Sequence, residues 1–234
     1  MLEDTELGKI DFVLSSRAKR INVRILPNGL TVSLPRKSTE KDAMTFINSV
    51  RGKIKAKQQR LKLKKEKNGV IISEENPLQT LTFTVEIKRT NREKVFFVLK
   101  EKILNIEIPF DSNCSDNRMQ EEFWNGISYF LKKEAKRILP QRVSELAHEY
   151  KFSFSSVKIQ SSKSRWGSCS SRKTINLSFY LLLLPKHLID YVILHELCHT
   201  KEMNHSPKFW DWMDRVTENK ATELNKELKR YSMP

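Results

Sequence analysis

The sequence predicts an α+β fold, in which a strand-rich first half with one long basic helix is followed by a mostly helical second half. Three observations carry this. Short alternating runs bounded by turn residues fill much of residues 9–34 and 79–109. From Arg118 to Tyr150 and again from Pro185 to Thr200, apolar residues recur at helical spacing. With 234 residues, 38% hydrophobic and 30% charged, the chain is long enough for one sizeable core and has a heavily solvated surface.

The elements follow in order. "KIDFVLSS" and "RINVRIL" read as strands, and "PNG" at 27–29 turns the chain into a third, "LTVSLP", as a hairpin. Ser38 or Thr39 caps a helix expected from about Glu40 to Lys67. That helix ends in "RGKIKAKQQRLKLKKEK", in which nine of seventeen residues are Lys or Arg, and Gly52 weakens it locally. "LTFTVEIKR" and "KVFFVLKEKILNIEIP", with a turn at Thr90-Asn91-Arg92, predict an antiparallel meander over 79–109. Phe123, Ile127, Phe130 and Leu131, then Ile138, Val143, Leu146 and Ala147, define the next helical face, with a kink or break expected at Pro140. Val157 to Ser161 and Thr174 to Phe179 predict a β-hairpin, and Pro185 the first turn of another helix. The shift from strand to helix suggests two parts, residues 1–112 and 113–234.

Composition bounds the function. No run approaches the roughly 18 apolar residues of a membrane span, and the acidic start "MLEDTELGKIDFVLSS" has no apolar leader core, so a cytoplasmic protein is expected. The three cysteines, Cys114, Cys169 and Cys198, lack CxxC spacing and argue against a disulfide framework or a Cys-based zinc cluster. The net charge of +15 favours an anionic partner such as nucleic acid, with residues 51–67 as its anchor.

Chemistry concentrates at "HELCHTKEMNHSPKFW", residues 195–210. On a helix, His195 and His199 share one face about 6 Å apart in rise, so both imidazoles reach one ion. Glu196 is offset so that it reaches a water rather than the ion; in the H-E-x-x-H arrangement it is the general base. A hydrolytic zinc site needs a third protein ligand. Were the helix continuous, His205 would stand about 15 Å further along. The helix is therefore expected to stop between Thr200 and Asn204, with Asn204 suited to a left-handed turn and Ser206-Pro207 starting a new helix. His205 would then swing back as the third ligand, with Glu202, Glu218 and Glu223 as alternatives. His187, two turns before His195, is too far to share the ion.

"SRWGSCS" at 164–170, "INL" at 175–177 and "LIDYVILHELCHTKEMNHSPKFW" at 188–210 closely resemble the YgjP-like metallopeptidase family, distantly similar to proteases of the Spartan and Wss type. The resemblance implies a zincin-like core, with an active-site helix beside an antiparallel hairpin whose edge binds substrate backbone by β-addition. It also implies one Zn²⁺ on His195, His199 and His205, with Glu196 catalytic. The spacing is that of the metzincins, but Glu202 stands where they have glycine, and their methionine turn is not recognisable. The tryptophan usual in this family near the end of the first helix is also absent, "NSVRGKIK" standing there.

The expected function is zinc-dependent hydrolysis of peptide bonds in a peptide or protein substrate. Arg165, Tyr180 and Tyr191 are candidates to stabilise the oxyanion, and Asp211 and Asp214 to orient the histidines. Trp166, Phe209, Trp210 and Trp212 either line a substrate pocket or pack the helices. The competing readings are a metal-dependent phosphoanhydride hydrolase acting on nucleotides, a DNA-associated protease anchored by residues 51–67, and a metal-bound module without turnover. No phosphate-cradling glycine loop supports the first of these. The terminal "KRYSMP" is a candidate latency segment or a frayed end.

Overall fold

The computed structural model describes residues 2–16, 18–68 and 71–234, and the side chains of these apart from residues 60–68. The chain divides into two compact units, Met1–Gly69 and Val70–Pro234. The boundary lies earlier than the change from strands to helices at 112 because the second group of strands shares its core with the helices that follow.

In the first unit, β1 (Leu2–Asp4), β2 (Gly8–Leu14), β3 (Asn22–Leu26) and β4 (Gly29–Leu34) form a sheet in the order β1-β2-β4-β3. The β3–β4 hairpin matches expectation, and β2 runs parallel to β4. The expected single helix is two, α1 (Glu40–Ser49) and α2 (Arg51–Asn68), broken at Val50, two residues from the weak point marked by Gly52. Thr39 caps α1 in a reciprocal capping box with Asp42. Leu30, Val32 and Leu34 of β4 pack with Ala43, Ile47 and Ile54 of the helices. Arg51 bridges to Asp4 (2.6 Å) and Glu6 (2.9 Å), Lys55 to Glu6 (2.7 Å), and the Gln58 amide donates to the Leu7 and Leu26 carbonyls. Arg51 and Lys55 of the basic run are thus engaged within their own unit, while Lys53 and Lys57 are exposed; the side chains from Arg60 lie outside the described residues.

The second unit holds β5 (Thr84–Thr90), β6 (Phe96–Lys100), β7 (Ile103–Pro109), α3 (Asn117–Glu149), β8 (Ser156–Gln160), β9 (Gly167–Cys169), β10 (Thr174–Ser178), a 3-10 turn Phe179–Leu183, α4 (Lys186–Cys198), α5 (Pro207–Val216) and α6 (Ala221–Leu228). Two expectations of purely antiparallel neighbours need correction. The orders are β5-β7-β6 and β8-β10-β9, with β5 parallel to β7 and β8 parallel to β10. The antiparallel pair beside α4 is β9–β10, not β8–β10. Burial supplies the reason. The last strand of each group is the most apolar on its inner face, with Leu104, Ile106 and Ile108 in β7 and Ile175 and Leu177 in β10, all fully buried. It takes the sheet centre, leaving both earlier strands to pair on its flanks.

Helix α3 runs unbroken through Pro140, where a kink or break was expected. Its face of Phe123, Ile127, Leu131, Ala135, Leu139 and Val143 is buried in the common core. Pro185 is the N-cap of α4 rather than its first turn. Arg142 of α3 grips Asp190 of α4 through two bonds of 2.7 and 2.9 Å, tying the two helices together. No described helix is long and apolar enough to cross a membrane.

Candidate metal centre

Helix α4 is nearly all buried, which is why its sequence carries little hydrophobic–polar contrast. It ends at Cys198, with His199 as its C-cap, slightly earlier than the expected Thr200–Asn204 stop. Ser206 caps α5 by accepting from the Phe209 N–H, with Pro207 in the first turn, as the sequence indicated. Asn204 is not in the left-handed region; the reversal is made by the turn after Cys198 without a positive φ.

The reversal brings His205 back onto the helix. One ring nitrogen from each of His195, His199 and His205 lies within 4.8 Å of the other two, and the Nε2 atoms of His195 and His205 are 3.1 Å apart. Two neutral ligands of one tetrahedral ion, at about 2.0–2.1 Å from it, stand about 3.3 Å apart, so this donor set fits a metal. Among the described residues, Glu202, Glu218 and Glu223 are not in the ligand group. Instead, the Glu202 main-chain carbonyl lies 3.0 Å from His199 Nδ1, so Nδ1–H donates to it and Nε2 is left with its lone pair. Asp211 and Asp214, expected to orient the histidines, make no such bond among the described contacts.

Burial, reinforced by the neighbouring imidazoles, pushes His195 down to about 3. Burial also lowers His199, against the pull of the Glu202 carbonyl. Both are therefore held neutral, the form that ligates a metal. Glu196, 5% exposed, is pushed up to about 8 by burial, opposed by the Arg165 charge and by the Cys169 main-chain N–H. A cation at the three histidines would pull it back down.

The other candidates separate. Arg165 is exposed and acts electrostatically on Glu196. Tyr180 is buried against Phe179, with its hydroxyl 3.4 Å from Ser128 Oγ of α3. Tyr191 is buried one turn before His195, at 6.2 Å between rings, and burial raises its phenol to about 12. Cys198 is fully buried, its thiol also raised to about 12, and behaves as a small hydrophobe. All three cysteines are free.

Two contacts were not read from the sequence. Phe209, fully buried, sets its ring 4.9, 4.5 and 4.8 Å from those of His195, His199 and His205, so it backs all three imidazoles. Trp210 stands 6.2 Å from His205, whereas Trp212 packs on Phe152. The second is Gly167 of β9, which lies directly against Glu196. An isolated glycine in a strand can signal such an approach, but here it sat in a segment read as a connection.

A family model described as "YgjP-like, metallopeptidase domain" matches residues 19–231. No curated protein matches the chain. Among solved structures, the metallopeptidase zymogen of Pyrococcus abyssi abylysin is 23% identical, with 38% of this chain and 91% of that one covered and a TM-score of 0.35. The metallopeptidase zymogen of Methanocaldococcus jannaschii jannalysin is 27% identical over 38% of this chain and 92% of that one, also at 0.35.

Proposed function

The chain belongs to the YgjP-like metallopeptidase family, and on that premise we propose that it is a zinc-dependent peptidase in which His195, His199 and His205 hold the ion and Glu196 is the general base. The observation that carries this reading is the convergence of three imidazole nitrogens within 4.8 Å, one residue from a buried carboxylate. Bound there, zinc would supply a Lewis acid for the scissile carbonyl and a water acidified towards about pH 7. Imidazole also suits copper, iron and nickel; the H-E-x-x-H arrangement with a carboxylate beside the first ligand favours zinc.

The chain's own residues do the rest. Glu196 takes the proton of the attacking water and returns it to the departing amine nitrogen. Buried beside the three histidines, it would be held in its charged, proton-accepting form by the cation bound there. Arg165, the exposed cation that already acts on Glu196, is the best-supported group to stabilise the oxyanion. Tyr180 is turned towards Ser128 and Tyr191 is enclosed within the helix packing, which leaves them less suited.

The substrate is a peptide or protein whose backbone adds to the outer edge of β9, with which no described strand pairs. The outermost bonds of the β9–β10 pair, Ser178 N–H to Trp166 O and Ser170 N–H to Thr174 O, direct the even-numbered residues inward. The main-chain groups of Gly167 therefore face the open edge, where an extended chain can pair.

The test is Glu196→Gln against the unaltered chain, both loaded with zinc and offered peptide pools. Peptidase activity is expected to fall by about 10²–10⁴-fold at equal zinc content. Full activity in the variant would remove Glu196 from the mechanism. His205→Ala is expected to weaken zinc binding strongly, and unchanged affinity would mean that the third ligand is another residue.

A further inference from the structure

Gly167 lies in an edge strand of three residues that packs on α4. Its backbone is not in the left-handed region, so any L-residue could adopt its conformation. What glycine provides here is room. A Cβ built at this position would stand 2.7 Å from Glu196 Oε1, 2.8 Å from Cγ and 3.0 Å from Cδ. These three nearest atoms all belong to one side chain. Because Cγ is among them, moving the carboxylate tip alone does not relieve the contact, and the stem of Glu196 must swing as well.

Neither wall can easily retreat. β9 is held to β10 by three paired residues, Gly167, Ser168 and Cys169 facing Leu177, Asn176 and Ile175. The Ser178-to-Trp166 and Ser170-to-Thr174 bonds, 2.9 and 3.0 Å, close its two ends. On the other side, α4 is fixed to α3 by the Arg142–Asp190 clamp. The strand therefore makes the space that the carboxylate occupies.

We propose that Gly167 is a positioning residue of the active site: the missing side chain at this point of β9 sets where the Glu196 carboxylate stands beside the three histidines. This rests on the reading of Glu196 as general base. An added methyl displaces the carboxylate by a sizeable fraction of an ångström, and a misplacement of about 1 Å can cost on the order of 10²-fold in rate. The three atoms nearest that methyl all belong to Glu196 and none to a histidine ring.

The experiment uses four full-length chains: unaltered, Gly167→Ala, Glu196→Ala and the double variant. Zinc content, thermal unfolding of the zinc-free protein, and peptidase kinetics are measured on each. Gly167→Ala is expected to bind zinc normally and keep KM within about threefold, while kcat falls about 10- to 100-fold. Its Tm is expected to fall by about 2–6 °C with Glu196 present, and by much less with Ala at 196, because the clash partner is gone. Should Gly167→Ala not fold, recovery of folding in the double variant shows the same coupling. An unchanged kcat, or an equal loss of stability in both backgrounds, overturns the proposal. If Glu196→Gln keeps full activity, the general-base reading fails instead, while the coupling in unfolding between 167 and 196 still appears.

Discussion

Two glycines in the second unit make the same kind of contact in opposite directions. Gly126, on α3, receives the ring of Phe97 from β6: a Cβ there would clash with the ring. Gly167, on β9, receives the side chain of Glu196 from α4. In one case the helix opens for the sheet, and in the other the sheet opens for the helix. The first contact joins apolar surfaces and serves packing. The second brings a main chain against a buried carboxylate, where there is no hydrophobic gain to account for it. The same absence of a side chain thus serves stability at one place and, in the proposed mechanism, geometry at the other.

The comparison can be tested from its strongest case downward. Phe209 combines both roles, since it is fully buried in the core and touches all three histidine rings. Phe209→Ala should cost about 3–5 kcal/mol of stability and weaken zinc binding together, measured by denaturant unfolding and by competition with a chelator. Loss of stability with intact zinc affinity would assign Phe209 to packing alone. Gly126→Ala comes next. Overpacking against Phe97 costs about 1–3 kcal/mol, offset by about 1 kcal/mol of helix propensity. A small net destabilisation is expected, with kcat per folded molecule unchanged and recovery when Phe97→Leu is added. A fall in kcat there would erase the distinction from Gly167.

The smallest effect is a control in the other unit. The Arg51 guanidinium, with help from the Leu7 and Glu6 N–H groups, holds Asp4 down to about 2, against 3.8 ordinarily. A depressed carboxylate stabilises the fold above its ordinary pKa and loses that contribution as pH falls through its folded value. Stability of the first unit should therefore decline between about pH 4 and pH 2, followed by circular dichroism. Asp4→Asn should flatten that part of the curve, and a variant that keeps the full slope would rule out the Asp4–Arg51 pair as its source.

What could be read in the sequence was local. The H-E-x-x-H pair, the Ser206-Pro207 start of α5, the Thr39 cap and the β3–β4 hairpin each depend on a few neighbouring residues. Strand order did not follow, because it depends on which strand is most deeply buried, a property of the assembled core. The β6–β7 hairpin also hid its turn. Glu101 and Lys102 both adopt positive φ, 50° and 64°, in a two-residue connection that usually carries Asn or Gly. Gly167 was visible as a glycine, yet its meaning depends on Glu196, 29 residues away. Its neighbours predicted a polar connection where the fold places a strand.

The bond from His199 Nδ1–H to the Glu202 carbonyl bears on how this site can change over evolutionary time. The acceptor is main chain, so no substitution at position 202 removes it. A protein that orients a histidine with a carboxylate can lose that bond in one mutation, whereas here only a change in the path of the chain can do so. The spacing between His199 and His205 should therefore resist insertion and deletion, while the identity of residue 202 is comparatively free to drift. Inheritance at this site is a matter of length more than of letters.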